Sequence, residues 1–182
     1  MVNSLMSIRT VAVLVLALGC HHLVAAETRD PATYFFQDSF NDLSEEAALS
    51  AEEGKIGVLV VFETDDCPWC ERMHETVLNQ SEVQDYFRSH FRIIKLNTDG
   101  DAVVVGFDGA EASETDFALN HNRIRATPTF LFFGAQGQLL TRFTGTTRDP
   151  QEFLWLGEYV VGEHFKNERF SSYKRRRSDE AS

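Results

Sequence analysis

Two cysteines separated by two residues, in Cys67-Pro68-Trp69-Cys70, are the residues whose types and spacing point most directly to chemistry. A hydrophobic run from Gly57 to Phe62 precedes them, and a helical pattern follows them. A strand, a C-x-x-C motif and a helix in this order are typical of a dithiol/disulfide redox site. The sequence therefore predicts that these two sulfurs exchange electrons with other thiols.

The position of Cys67 at the start of the predicted helix gives a physical reason for reactivity. Cysteine attacks as the thiolate, and a thiol with the ordinary pKa of about 8.5 is mostly protonated at neutral pH. Unpaired N–H groups and the positive end of the helix dipole favour the thiolate at a helix N-terminus. Asp65 and Asp66 directly precede Cys67, and their negative charges act in the opposite direction. The sequence leaves the balance between these two effects open.

Two other uses of the cysteine pair have less support in the sequence. A disulfide in an exported protein can be purely structural, but a C-x-x-C bridge closes a very small loop and constrains the unfolded chain little. A zinc site needs two further ligands, and His74, His90, His121 and His164 show no paired spacing. We therefore expect neither a bound metal nor a cofactor.

The first 26 residues have the features of an export signal. Val11–Leu18 is a short apolar core, too short for a stable membrane-spanning helix, and small residues precede Glu27. We expect cleavage before Glu27 and release into the periplasm. The alternative is a lipoprotein that is processed before Cys20 and anchored there by a lipid. Without a lipid on Cys20 we expect no stable insertion into a membrane.

The charge balance argues against one large class of partner. The chain has 182 residues, with 28 acidic and 17 basic side chains, and its formal net charge is −11. Domains that bind nucleic acid rely on basic surfaces, so we expect no nucleic acid partner. The basic run Lys174–Arg177 is the local exception, and we expect it to form a solvated tail, with docking on an acidic partner or on anionic lipid as the alternative.

Hydrophobic periodicity predicts one domain of alternating helices and strands. The predicted helices are Asp42–Glu53, Cys70–Leu78, Ser81–His90 with Ser81 a candidate N-cap, Ser113–His121, and one opening at Asp149-Pro150. The predicted strands are Ile56–Phe62, Phe91–Leu96, a small extra strand and turn at Val103–Gly109, and a hairpin of Thr129–Phe133 and Leu139–Phe143. The expected divisions are a signal peptide (1–26), an aromatic lead-in, strand-like or irregular (27–41), one main domain (42–163) and a partly disordered C-terminal extension (164–182).

This order and these motifs resemble the thioredoxin superfamily over about residues 40–163. Val58–Cys70 is similar to the active-site strand and helix of that family, and Arg125–Phe130 is similar to its cis-proline loop opposite the disulfide. Gly137 and Gly145 match glycines of its terminal hairpin. The resemblance implies an α/β thioredoxin fold, a central mixed sheet flanked by helices, with a small insertion before the cis-Pro segment.

The resemblance also implies thiol–disulfide exchange with disulfides of other proteins. Cys67 is the implied nucleophile and forms a mixed disulfide, which Cys70 then resolves. Thr127 and Pro128, joined by a cis bond, are implied to bind an extended substrate segment by strand-like hydrogen bonds. Trp69 is expected to offer partners an exposed apolar contact, with incidental exposure as the alternative.

One departure from the family pattern concerns the proton acceptor for Cys70. The family usually places a buried Asp on the central strand, where this chain has Val61. Glu63 or water is the expected substitute, although strand alternation argues against Glu63 reaching that face. His74 follows Cys70 by about one helical turn, either near the redox site or as an ordinary partly exposed helix residue. The expected modulators of the cysteine pair are Pro68, Glu63, Asp66 and His74.

A narrower resemblance is to the SoxW-type periplasmic thioredoxins. It rests on the export signal, C-P-W-C-E-R-M, the Val103–Gly109 insertion, A-T-P-T-F and the ending from Tyr159 to Tyr173. It implies reduction of exported partners such as sulfur-oxidation components, with a membrane thiol transporter as electron donor. A disulfide oxidant or isomerase is the alternative. From another class, the alternative is a non-catalytic thioredoxin-fold binding module or chaperone.

Overall fold

The computed structural model describes residues 27–180 of the chain. The predicted signal peptide, including Cys20, and residues 181–182 lie outside this range. Within it, no helix combines the length and the apolar character that crossing a bilayer requires.

The predicted helices and strands are present in the predicted order, with small differences at their ends, and the structure adds helices at Pro31–Tyr34 and Phe170–Glu180 and a strand at Glu111–Ser113. The helices are α1 (Pro31–Tyr34), α2 (Leu43–Glu52), α3 (Pro68–Met73), α4 (Ser81–His90), α5 (Glu114–Asp116), α6 (Pro150–Val161) and α7 (Phe170–Glu180). The strands are β1 (Gly57–Glu63), β2 (Phe91–Asn97), β3 (Val103–Val105), β4 (Glu111–Ser113), β5 (Thr129–Gly134) and β6 (Leu139–Thr144). Helices α3 and α5 continue as π-helical turns, His74–Leu78 and Phe117–His121, and a 3-10 turn covers His164–Lys166.

The strands form a four-stranded mixed sheet in the order β2-β1-β5-β6 and a separate pair, β3-β4. Strand β1 pairs parallel with β2 and antiparallel with β5, so it occupies the inside of the sheet and is buried along its whole length. Burial on both faces is the reason that Gly57–Phe62 is a continuous apolar run. The β3-β4 pair is the small insertion expected ahead of the cis-Pro segment.

Side chains of β1 alternate between two hydrophobic layers. One layer contains Leu59 and Val61 and packs against α4 and α6. The other contains Val58, Val60 and Phe62 and packs against α2 and the π-helical turn after α5. Helices therefore cover both faces of the sheet, which confirms the predicted α/β architecture.

Aromatic rings fill the layer beneath α4 and α6. Phe87 is fully buried, stacks on Phe153 with ring centroids 4.4 Å apart, and also contacts Phe35 and Phe132. Phe35 comes from the N-terminal lead-in, in which the short helix α1 is followed by an irregular segment that reaches Asn41. Phe40 of the same lead-in is 96% exposed and takes no part in the core.

Helix starts follow the capping residues of the sequence with one exception. An Asp42 carboxylate oxygen accepts the Glu45 amide at the start of α2, and Asp149 occupies the same position before α6. The expectation that Ser81 caps α4 is wrong, because Ser81 is already the first helical residue. Its amide donates to the Glu27 carbonyl oxygen at 2.9 Å, so the lead-in supplies the acceptor that a capping side chain would provide.

The C-terminal segment departs from the expected solvated, partly disordered tail. Phe170–Glu180 forms α7, which packs against α6 through the buried ring of Tyr173. Lys174 Nζ lies 2.8 Å from Glu152 Oε1, and Arg177 pairs with Glu158. The rings of Tyr173 and the partly buried Phe170, together with these ion pairs, hold a segment whose composition is otherwise strongly polar.

Replacing Phe87 with Ala is expected to lower the free energy of unfolding by about 3–5 kcal/mol, because it empties the centre of the aromatic layer. Phe40→Ala is the matched control, since that ring is exposed, and it should change the free energy by less than about 0.5 kcal/mol. Urea unfolding followed by circular dichroism measures both. Equal effects of the two substitutions would contradict the packing described above.

Candidate active site

A disulfide joins Cys67 and Cys70 at the turn from β1 into α3. Pro68 is the first residue of α3, where its missing N–H removes no helical hydrogen bond and its fixed φ suits the helix. Cys67 is therefore the N-cap, and its Sγ accepts a hydrogen bond from the Cys70 amide at 3.1 Å. The sulfur of Cys67 thus lies at the positive end of the helix.

The two cysteines differ in their access to solvent. Cys67 is partly exposed, whereas Cys70 is only 4% exposed. Trp69, between them in the sequence, is 61% exposed and presents an apolar surface. An incoming thiol or disulfide can therefore reach Cys67 more readily than Cys70.

The loop before β5 lies opposite the disulfide. The Thr127-Pro128 peptide bond is cis, as the resemblance implies, and the Thr127 hydroxyl donates to Cys67 Sγ at 3.3 Å. The antiparallel register pairs Phe62 with Thr129, which brings the end of β1 next to the start of β5. Residues 60 positions apart in the sequence therefore meet at one edge of the sheet.

Glu63, the last residue of β1, points to the same face as Val61. The expectation that alternation keeps it off that face is wrong, because strand residues two apart point the same way. Glu63 is 8% exposed, and its Oε1 lies 2.7 Å from Nε2 of His74. His74 begins the π-helical turn after α3 and packs against the Phe36 ring, with ring centroids 5.7 Å apart. The structure thus pairs two residues that the sequence suggests separately.

A cavity of about 600 Å³ opens beside the disulfide. The charged or titratable side chains in its wall, besides the two cysteines, are Glu63, Asp65, Asp66, Glu71, His74 and Lys95. The Asp65 carboxylate accepts a hydrogen bond from Asn97 Nδ2 at 3.0 Å, whereas Asp66 is exposed beside Cys67. Over residues 27–180, no group of three or more His, Cys, Asp or Glu side chains is arranged to hold a metal ion.

Lys95 is the residue of this site that sequence reasoning missed. It lies on β2 opposite Val61 of β1, and its ammonium is 5.7 Å from the centroid of the Phe36 ring. A signal was available in the sequence, because the same face of β2 otherwise carries the apolar residues Phe91 and Ile93. A charged residue that follows two apolar residues on one face of a strand indicates that the strand has left the core at that residue.

Comparison with solved structures finds the same fold in several proteins. A thioredoxin-fold protein from Helicobacter pylori has a TM-score of 0.63 at 19% identity, and the match covers 80% of this chain and 92% of that one. A thioredoxin from Thermus thermophilus has a TM-score of 0.50 at 26% identity, covering 64% and 82% of the two chains. A putative disulphide-isomerase from Bacteroides thetaiotaomicron has a TM-score of 0.50 at 26% identity, covering 68% and 92%. A search of curated protein sequences finds no significant match.

The family model described as a thioredoxin-like domain matches residues 43–161, well over half of the chain. The matched segment runs from the start of α2 to the end of α6. It therefore contains both the C-x-x-C turn and the cis-Pro loop, the two parts of the site that the fold brings together. On this evidence the chain belongs to the thioredoxin-like family.

Proposed function

We propose that this protein is a thiol–disulfide oxidoreductase that acts on disulfides of other proteins. The observation that carries the proposal is the partly exposed Cys67 Sγ at the start of α3, 3.3 Å from the Thr127 hydroxyl of the cis-Pro loop. An accessible sulfur and a loop able to receive an extended chain are thus next to each other. The 26% identity to a thioredoxin supports the same assignment.

Reduction of a partner disulfide takes two exchange steps. The Cys67 thiolate attacks one partner sulfur, so a bond forms between Cys67 and the partner while the partner's second sulfur leaves as a thiolate. Cys70 then loses its proton and attacks Cys67 Sγ, which forms the Cys67–Cys70 bond and releases the partner's first sulfur as a thiolate. Two electrons pass from the dithiol to the partner, and the released thiolates take up protons.

Partner recognition is proposed to use the loop and the exposed indole. An extended segment beside the partner's disulfide would lie along Thr127 and Pro128 and pair with the loop backbone as an added strand does. Trp69 would contact apolar side chains of the same segment, a role for which exposed Trp is well suited at protein interfaces. Backbone pairing depends little on sequence, so such a site accepts several partners.

The proposed direction is reduction in the periplasm, in the manner of SoxW-type thioredoxins. The support is in the sequence, namely the export features of residues 1–26 and the C-P-W-C-E-R-M motif. The proposed partners are exported proteins such as sulfur-oxidation components, and a membrane thiol transporter would restore the dithiol. A disulfide oxidant or isomerase is the second candidate, favoured by the 26% identity to a putative disulphide-isomerase.

Cys67→Ser is expected to abolish the reduction of insulin by dithiothreitol-charged protein, because the attacking sulfur is lost. Cys70→Ser keeps that sulfur and should accumulate mixed disulfides with partner proteins, which appear as slower bands on non-reducing gels and vanish on reduction. The double variant is the control and should trap nothing. Insulin reduction by Cys67→Ser at the wild-type rate would rule out the proposed function.

Intact-mass spectrometry of protein taken from acid-quenched, alkylated periplasmic extract tests location and direction together. A mature N-terminus at Glu27 and two alkylated cysteines are expected, because a working reductant is kept as the dithiol. A lipid on Cys20 would contradict release into the periplasm. A predominantly disulfide-bonded, unalkylated form would contradict the reductant and favour the oxidant or isomerase.

A further inference from the structure

The wall of the cavity beside the disulfide holds one buried carboxylate, that of Glu63. Its other carboxylates belong to Asp65, Asp66 and Glu71, and all three residues are exposed. Cys70, which lines the same cavity, is 4% exposed, so its thiol proton has little direct access to bulk water. A group that accepts the proton of the Cys70 thiol is therefore expected inside the cavity.

The hydrogen bond between Glu63 and His74 shows which of the two side chains carries the shared hydrogen when Glu63 is ionised. An ionised carboxylate only accepts hydrogen bonds, so the hydrogen shared with Glu63 Oε1 is carried by His74 Nε2. With a neutral imidazole, the pair has one negative charge at a site where Glu63 is almost fully buried. One added proton makes the pair neutral overall, so the pair has the capacity to hold the proton that a neighbouring thiol loses.

We propose that the Glu63–His74 pair accepts the proton that Cys70 loses when it attacks the mixed disulfide, an inference that rests on the exchange reaction proposed above. Val61, two residues before Glu63 on the same face of β1, is apolar and cannot serve. The pair combines a strand residue that is fixed in the sheet with a helix residue four positions after Cys70. The proton acceptor is thus built from the end of β1 and the turn that continues α3.

Charged groups face the pair from two sides. On the cavity side, the pair faces Asp65, Asp66, Glu71 and Lys95. On the opposite side, His74 borders a second cavity whose charged residues are Arg29, Asp30 and Glu75. Acidic side chains outnumber basic ones in this surrounding, and the Phe36 ring packs against the imidazole.

The proton and electrons of the step balance without any further reactant. The Cys70 S–H bond breaks, and its proton passes to the pair directly or across one water in the polar cavity. The electron pair left on Cys70 forms the bond to Cys67 Sγ, and the electron pair of the broken Cys67–partner bond leaves with the partner sulfur. The side chain of His74 is 27% exposed, so the proton can pass on to solvent or to the departing thiolate.

The test follows the two exchange steps separately in the full exported protein. The reduced protein is mixed with the chromogenic disulfide dithiobis(nitrobenzoate) in a stopped-flow spectrometer. Attack by Cys67 releases a first thionitrobenzoate at a rate that depends on reagent concentration. Attack by Cys70 on the mixed disulfide releases a second thionitrobenzoate at a rate that is independent of reagent concentration. The Cys70→Ser variant lacks this second phase and so identifies it.

Glu63→Gln is expected to slow the second phase about 100-fold at pH 7, the usual size of a lost general base, and to leave the first phase unchanged. The difference should shrink as the pH approaches the ordinary thiol pKa of about 8.5, where hydroxide removes the proton instead. His74→Gln should slow the same phase to a smaller extent. Because the two groups act as a unit, the double variant should be no slower than Glu63→Gln.

Glu82→Gln is the matched control, since it removes the same charge from an exposed side chain on α4 that lines neither cavity. It should keep the rates and pH profiles of both phases. A Glu63→Gln protein with a wild-type second phase, or with both phases slowed equally at all pH values, would overturn the proposal. A wild-type protein that releases no second thionitrobenzoate would instead overturn the exchange function on which the proposal rests.

Discussion

The pairing of β1 between β2 and β5 is the constraint on which the site depends. Because β1 runs antiparallel to β5 with Phe62 opposite Thr129, the end of β1 and the loop before β5 lie at the same edge of the sheet. The chain that leaves β1 turns into α3 with Cys67 as its N-cap, and the chain that enters β5 brings in the cis-Pro loop. A single register therefore positions both the sulfur and the loop that faces it.

The same strand determines where a buried charge can be placed near the sulfurs. Strand β1 is apolar until its last residue, Glu63, which shares a face with Val61. A buried carboxylate is unfavourable unless it is hydrogen-bonded, and His74 from the turn after α3 provides that bond. The Phe36 ring of the lead-in packs on the imidazole, so three separate segments contribute to one pair.

Local sequence patterns were sufficient to predict the sheet, the C-x-x-C turn and the helices that flank them. The continuous apolar run of β1 predicts a strand that is buried on both faces. Pro68 after Cys67 favours the first turn of a helix. The patterns were insufficient where tertiary contacts decide the outcome. The basic segment Lys174–Arg177 has the composition of a solvated tail, but the buried ring of Tyr173 and ion pairs with α6 hold it within α7. The Glu63–His74 contact likewise depends on how α3 lies over the end of β1.

The relative alkylation rate of the two thiols in the reduced protein shows whether the helix start makes Cys67 the more reactive sulfur. Limiting iodoacetamide at neutral pH, followed by peptide mapping in a mass spectrometer, reports which sulfur reacts first. Modification is expected at Cys67 with Cys70 protected, because the sulfur of Cys67 lies at the helix start and is partly exposed. Equal labelling of the two thiols, or labelling of Cys70 first, would contradict it.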